Sequence, residues 1–215
     1  MAENGSPISQ YKIELKTKDG TYVEIKEFCD GTDANILANN YCLFSMATFM
    51  QSPLNLVRGD LIVARITVKN AIGWTKEYSP DNTAGVLVQI RPSKPHAMTV
   101  DLPSTNTYQT IVFMQPLVSA SETGGSPIVS YSLEWDNGSN GAGYVVLNGV
   151  EENNIQLRYV MSDLTAGMTY RFKYRVRNIF GWSSEYSDVL TILAATRPDR
   201  PAMVQTANVG TSLRI

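Results

Sequence analysis

The stretch LTAGMTYRFKYRVRN, residues 164–178, decides the fold class of this chain. Phe172, Tyr174 and Val176 alternate with charged residues, and this period of two is the pattern of a β-strand with one buried face. Gly, Asn, Asp and Pro clusters separate similar short alternations elsewhere, for example Ile13/Leu15, Ile66/Val68, Val86/Val88/Ile90, Ile111/Phe113 and Leu133/Trp135. No stretch shows a helical stripe, so the sequence predicts an all-β chain built as a sandwich or barrel.

The chain repeats itself. GSPISQYKIEL at residues 5–15 returns as GSPIVSYSLEW at 125–135, and VKNAIGWTKEYS at 68–79 returns as VRNIFGWSSEYS at 176–187. The offset falls from 120 to 108 residues between these two pairs. The first copy therefore holds an extra loop, and the two cysteines of the chain lie in that interval.

Pro-rich stretches follow both copies. RPSKPHAM at residues 91–98 returns as RPDRPAM at 197–203, and such compositions are typical of stiff linkers between domains. We expect four segments: an incomplete first domain with the cysteine insertion (1–90), a linker (91–96), a complete second domain (97–196), and a linker with a tail (197–215).

Residues 164–178 resemble the E–F corner and strand F of a fibronectin type III domain. In that family a Leu and a Gly precede a Tyr, here Tyr170, whose hydroxyl ties the corner, and the strand ends in Asn-x-x-Gly. Trp135 takes the position of the buried tryptophan of strand C, whereas Ile62 replaces the corner tyrosine in the first copy. The resemblance covers nearly the whole chain, is similar in style to repeat arrays of protist surface proteins, and implies two tandem fibronectin-type-III-like (immunoglobulin-like) β-sandwiches.

The first copy opens directly with strand C, so it lacks strands A and B, and we expect its strand E to stand alone. The tail PAMVQTANVGTSLRI, residues 201–215, resembles the A and B strands of a further domain. Its apolar Val204, Leu213 and Ile215 are predicted to form a donor strand that inserts into the first domain of the next molecule, as in strand complementation.

A head-to-tail contact of this kind propagates into a filament unless it closes as a ring. The predicted function is a structural subunit of an extracellular filament, with identical subunits as partners. The alternative is a two-domain segment of a large multi-repeat adhesin or receptor ectodomain. Residues 114–124 separate strand B from GSPI in the second copy, whereas joining Ile215 to Met1 leaves only four residues. That difference favours the filament over one covalent array.

Cys29 and Cys42 lie in one Asp/Asn/Gly-rich stretch, where either a disulfide or two unrelated buried thiols fit the sequence. A disulfide favours an extracellular or cell-surface location. The polar N-terminus lacks the apolar core of a signal peptide, so either a leader has been removed or the protein is cytosolic. No apolar run approaches the roughly 20 residues of a membrane span.

Three short motifs have both a functional and a structural interpretation. Asn4 and Asn137 begin N-glycosylation sequons, which makes glycans a second class of partner. Arg58-Gly59-Asp60 is an integrin-binding tripeptide, but Gly59 aligns with Gly167 at the E–F corner, where the turn itself favours glycine. Trp74 and Trp182 recur together with Tyr78 and Tyr186, which indicates packing at the F–G turn more than binding.

Catalytic patterns are missing from the sequence. His96 is the only histidine and has no nucleophile motif near it, and neither a P-loop nor a dinucleotide fingerprint occurs. Asp30, Asp33 and Asn35 match no defined calcium loop, and two thiolates with one distant histidine do not complete a zinc site. The net charge of −2, with scattered Lys and Arg, gives no nucleic-acid footprint. We predict no cofactor, no metal and no enzymatic activity.

Overall fold

The computed structural model describes residues 5–210 and 212–214. The first repeat holds one antiparallel sheet in the order β2-β1-β3-β4. Its strands and helices are β1 (Gln10–Lys16), β2 (Tyr22–Val23), α1 (Ala34–Asn39), α2 (Met46–Phe49), β3 (Ala64–Asn70) and β4 (Gly73–Trp74). The register places Tyr11 opposite Val68, Ile13 opposite Ile66 and Leu15 opposite Ala64. Because side chains alternate along a strand, these six share one face of the sheet.

Two short helices replace regular strands between β2 and β3. The Asp33 carboxylate caps α1 by accepting hydrogen bonds from the backbone N–H of Asn35 at 2.7 Å and of Ile36 at 3.3 Å. The Ser45 hydroxyl caps α2 by accepting from the Thr48 N–H at 3.2 Å. The helices have six and four residues, which is too short to show an apolar stripe in the sequence.

The expectation of a lone strand E in the first repeat is wrong. The described residues between β2 and β3 form α1, α2 and irregular chain, in which Leu54 and Leu56 are buried against Phe49 and Leu15. The physical reason is that a strand gains its stability from ladder partners. Because no partner strand lies beside it in the described part of the chain, this segment is held by side-chain packing and by single backbone bonds such as that from the Lys18 N–H to the Leu54 carbonyl at 2.8 Å.

The second repeat holds two sheets. One has the order β11-β10-β7-β8 with β12 also paired to β10, and the other has the order β5-β6-β9. The elements are β5 (Thr99–Val100), β6 (Thr110–Phe113), α3 (Ala120–Thr123), β7 (Ser130–Trp135), β8 (Val145–Val146), β9 (Arg158–Met161), β10 (Thr169–Asn178), β11 (Gly181–Trp182) and β12 (Leu190–Leu193). The two sheets enclose one core of buried side chains.

β10 is the central strand of that core. Its residues alternate between buried and half-buried along the whole length, and Phe172, Tyr174 and Val176 are fully buried. Burial of side chains of this size contributes about 1.5–3 kcal/mol each. The alternation that predicted a strand in the sequence is therefore the alternation that fills the core.

The E–F corner has the predicted hydrogen bond. The Tyr170 hydroxyl accepts from the Thr165 N–H at 2.8 Å, and the Trp135 ring stacks on Tyr170 with centroids 5.5 Å apart. Together with the strand order, these features make the second repeat a fibronectin-type-III-like β-sandwich. In the first repeat β1 and β3 pair as β7 and β10 do in the second, but the described residues include no first-repeat sheet equivalent to β5-β6-β9.

The tail forms a hairpin of its own. β13 (Ala207–Val209) pairs with β14 (Ser212–Arg214), and Gly210 occupies the turn with φ of 61°. Within the described ranges these two strands form a separate two-stranded sheet. No helix in the described part of the chain is both long and apolar enough to cross a membrane.

Candidate functional site

An apolar groove runs along the inner face of the first repeat and has a volume of about 600 Å³. Its floor consists of inward-facing residues of β1 and β3 and of the segment before β3. They are Tyr11, Ile13, Leu15, Ile62, Ala64 and Ile66. The members in β1 and β3 point to the groove because they occupy alternate positions in the paired strands.

The same face is closed in the second repeat. The equivalents of Ile13 and Ile66 are Leu133 and Tyr174, both of which have 0% exposure, whereas Ile13 and Ile66 are only half-buried. In the second repeat β5, β6 and β9 form the covering sheet, and Val112 and Met98 lie in the shared core. The groove is therefore the place that strands A and B fill in a complete sandwich.

One end of the groove is closed by aromatic residues. Phe28, Phe44 and Phe49 form a chain of tilted ring contacts with centroids 5.9 and 5.6 Å apart. Phe49 is buried, and the buried Leu54 belongs to the same cluster. This cluster gives the incomplete repeat a small core of its own, while the floor around Ile13 and Ile66 stays open.

The cysteine loop forms one wall of the groove. Cys29 and Cys42 are joined in a disulfide with Cα atoms 5.4 Å apart, and both line the groove. The Tyr11 hydroxyl donates to the Asn40 side chain at 2.6 Å. A Cβ on Gly31 would lie 1.8 Å from the Tyr11 carbonyl oxygen, so only glycine lets this loop approach β1. The disulfide and this close approach together fix the wall.

The predicted donor residues lie at the other end of the chain. Val204 is exposed, the backbone of Leu213 pairs with Asn208 in the hairpin, and Ile215 lies outside the described residues. The donor role of all three remains a prediction.

Sequence reasoning missed Met203. It closes the motif RPDRPAM as Met98 closes RPSKPHAM. Met98 is 5% exposed in the core of the second repeat, whereas Met203 is 89% exposed. The signal that points to Met203 is the repetition of the linker motif together with the residue that follows it.

The outer face of each sheet is a ladder of cations and aromatic rings. Arg65 lies 3.7 Å from the Tyr22 ring centroid and 4.3 Å from that of Tyr78. Burial opposes the charge on Glu14, but hydrogen bonds from Lys12, Arg65 and Tyr78 outweigh it and lower the pKa of Glu14. These contacts stabilise the outer face of the sheet.

Trp74 and Trp182 belong to the same ladders. Lys69 Nζ lies 5.8 Å from the Trp74 ring centroid. Arg175 and Arg177 each lie 4.8 Å from that of Trp182. Both tryptophans thus pack on the sheet that carries them, as their recurrence indicates.

The RGD tripeptide is engaged in the corner. Gly59 has φ of 92°, Asp60 accepts hydrogen bonds from Lys18 and from the Val57 N–H, each at 2.8 Å, and Arg58 donates to the Ser121 carbonyl. These bonds hold the tripeptide in the E–F turn.

The remaining predicted sites are scattered. Asn137 is exposed in a turn with φ of 49°, and Asn4 lies outside the described residues; glycosylation of both stays a prediction. His96 bonds to Glu122 at 2.8 Å in the linker. Asp33 caps α1, and Asp30 accepts a hydrogen bond from the Thr32 N–H at 3.0 Å, so both carboxylates have local structural partners.

No protein-family model matches the sequence, and no curated protein matches it. Solved fibronectin type III structures are similar to it. A multi-domain segment of titin is 16% identical with a TM-score of 0.45, covering 87% of this chain and 55% of that chain. The sixth fibronectin type III domain of human fibronectin type III domain containing protein 3 is 15% identical with a TM-score of 0.41, covering 57% of this chain and 100% of that chain. A fourth human fibronectin type III domain is 17% identical with a TM-score of 0.43, covering 63% and 99%.

Proposed function

We propose that this protein is a structural subunit of an extracellular filament, assembled head-to-tail by donation of its C-terminal strands. The observation that carries the proposal is the groove over Ile13 and Ile66, which coincides with the face that β5 and β6 cover in the second repeat. An uncovered apolar sheet face of this kind marks an interaction site.

The occupant that fits the groove is a pair of strands like β5 and β6. The tail follows its linker motif just as β5 and β6 follow theirs, and Met203 and Val204 are exposed. Its hairpin offers backbone donors and acceptors as well as apolar side chains, the two components of strand addition. We therefore assign the tail of another copy as the occupant.

Donation to a second copy is favoured over insertion into the same chain. The second repeat lies between the groove and the tail in the chain, and a domain of this size measures about 25–35 Å across. A contact between different surfaces of identical subunits propagates into a filament. The disulfide is stable in an oxidising compartment, which supports an extracellular location, where Asn4 and Asn137 would carry glycans.

Full-length variants test the proposal in pairs. Leu213→Asp would place an unpaired charge in the acceptor core at a cost of several kcal/mol, so it should abolish polymerisation followed by light scattering. Side chains alternate along a strand, so Arg214 is predicted to face away from the acceptor core. Arg214→Asp should therefore polymerise like the parent. If Leu213→Asp also polymerises like the parent, strand donation by the tail is wrong. If the parent itself does not polymerise, the alternative of a segment from a multi-repeat adhesin or receptor ectodomain replaces the filament.

A further inference from the structure

The joint between the two repeats is built from hydrogen bonds to main-chain carbonyls. Ile90, the residue just before the linker, donates its N–H to the Gly124 carbonyl at 2.8 Å. The Asn178 side chain clamps the linker by donating to the carbonyls of Ile90 at 2.7 Å and Thr123 at 2.9 Å. Arg91 Nε donates to the Phe180 carbonyl at 3.3 Å. Asn178 is 1% exposed, so the clamp lies inside the joint.

Glycine makes the close approach possible in this joint. A Cβ on Gly125 would lie 2.7 Å from the Val88 carbonyl oxygen and 2.9 Å from the Gly59 nitrogen. Val88 in turn accepts a hydrogen bond from the Gly59 N–H at 2.9 Å. The E–F corner of the first repeat thus sits directly on the GSPI turn of the second.

The surface of the second repeat that contacts the linker has an equivalent on the first repeat. Asn70 is the equivalent of Asn178, and its side-chain oxygen accepts from the N–H of Ile72 at 3.0 Å and of Gly73 at 3.3 Å. Asn178 makes the matching bond to the Phe180 N–H at 2.8 Å. Among the described residues, however, the Asn70 amide nitrogen donates no hydrogen bond.

Gly5 shows the same contrast with its equivalent. Its φ of 81° matches the 77° of Gly125, yet a Cβ on Gly5 would meet no described atom within 4 Å. Ile72, at the position of Phe180, is 90% exposed. The first repeat therefore carries the shape of a joint surface that nothing in the described chain covers.

The part of the first repeat that contacts this surface, its E–F corner and the start of the linker, has an equivalent at the end of the second repeat. The Gly167 N–H donates to the Ala194 carbonyl at 2.8 Å, as Gly59 does to Val88. Thr196 and Arg197 then follow at the spacing of Ile90 and Arg91. Each end of the chain thus presents one half of the joint found in the middle.

We propose that the joint between the repeats recurs between subunits, with the Asn70 amide of one subunit clamping the Thr196 carbonyl of its neighbour. Arg197 of that neighbour donates to the Ile72 carbonyl, and Gly5 packs against Ala194. The inference rests on the proposed function, because tail insertion is what brings these two ends together.

The joint between subunits is the smaller of the two. Lys94 pairs with Asp188 at 2.6 Å in the linker between the repeats, but Pro80 takes the place of Asp188 in the first repeat. Ala166 takes the place of Arg58, which contacts α3 in the joint between the repeats. The clamp by asparagine and the arginine of the linker are the parts that both joints share.

Asn70→Asp in the full-length chain tests the clamp. The carboxylate still accepts from Ile72 and Gly73 but cannot donate to a carbonyl, and loss of such a bond raises the critical concentration for polymerisation about tenfold. The matched control is Gln156→Glu, the same change of charge at an exposed residue of the second repeat. This control leaves the critical concentration unchanged. Arg197→Gln alters only the linker and raises the critical concentration about threefold. Misfolding of the first repeat therefore cannot account for the effects of both Asn70→Asp and Arg197→Gln.

Two outcomes separate this inference from the proposed function. If Asn70→Asp and Arg197→Gln polymerise like the control while Leu213→Asp does not polymerise, the joint is overturned and strand donation stands. If Leu213→Asp polymerises like the parent, strand donation is overturned, and the joint between subunits is overturned with it.

Discussion

Single residues decide how each repeat closes. Tyr170 ties the E–F corner of the second repeat with its hydroxyl, whereas the first repeat has Ile62, which lines the groove. Glycines at the joint allow backbone contacts that any side chain would block, and Gly125 is the clearest case. A single hydroxyl at the corner, or a missing Cβ at the joint, therefore sets which backbone contacts form.

Tyr170→Phe should lower the free energy of unfolding of the second repeat by about 1 kcal/mol, because it removes one hydrogen bond while keeping the ring in the core. Tyr159→Phe is the matched control, since no hydrogen bond of the Tyr159 hydroxyl is found among the described residues. Urea unfolding of both variants measures the difference. Equal stability of the two variants would show that the corner bond contributes nothing.

Glu122 gives the capping of α3 a dependence on pH. Hydrogen bonds from the Ser119 N–H and hydroxyl and from the Val118 N–H lower its pKa from 4.5 to about 2. A lowered pKa in the folded state means that the stabilisation is complete above pH 4.5 and is lost as the pH falls toward about 2. Glu122→Gln should therefore be less stable than the parent near neutral pH, and urea unfolding should show the two converging in that acidic window. A difference that stays constant with pH would contradict this role.

At the scale of elements, the two repeats differ in one sheet. β5, β6 and β9 cover the second repeat, and the first repeat has α1, α2 and a cluster of three phenylalanines instead. The tail supplies a hairpin of the kind that the first repeat lacks. Under the proposed assembly, the hairpin of one copy would complement the first repeat of another.

Deletion of Thr211–Ile215 should abolish polymerisation and leave the second repeat folded. The reason is that β5 to β12 include both sheets of that repeat, so its core does not depend on the tail. Light scattering follows assembly, and urea unfolding reports on the second repeat. Loss of its unfolding transition in the deletion variant would show that the tail belongs to the core of its own chain.

For the whole molecule, the two cores are separate clusters of buried residues, and the smaller one borders the disulfide loop. The second repeat has two sheets around its core, whereas the first repeat has a smaller core and the covalent support of the disulfide. Small cores gain the most from such support. Under the proposed assembly, the first repeat would gain further stability from the donated strands.

Cys29→Ser with Cys42→Ser should destabilise the first repeat by about 3 kcal/mol, since the bond closes a loop of short sequence separation. The Leu213→Asp background keeps the subunits apart, so calorimetry should show one transition lowered and the transition of the second repeat unchanged. A shift of both transitions would mean that the repeats unfold as a unit. Peptide mapping without reductant should recover the two cysteines as one linked pair.

The sequence by itself determined the all-β class, the repeat, the corner at Tyr170 and the open face of the first repeat. These follow from local patterns, because alternation along β10 and turn residues act over a few positions. Only the tertiary structure decided that residues between β2 and β3 form helices and that Met203 is the exposed counterpart of Met98. It alone brought Asn178 to the linker and left Asn70 without a matching contact among the described residues. Such features depend on which distant segments meet. Local sequence patterns carry no signal for contacts between distant segments.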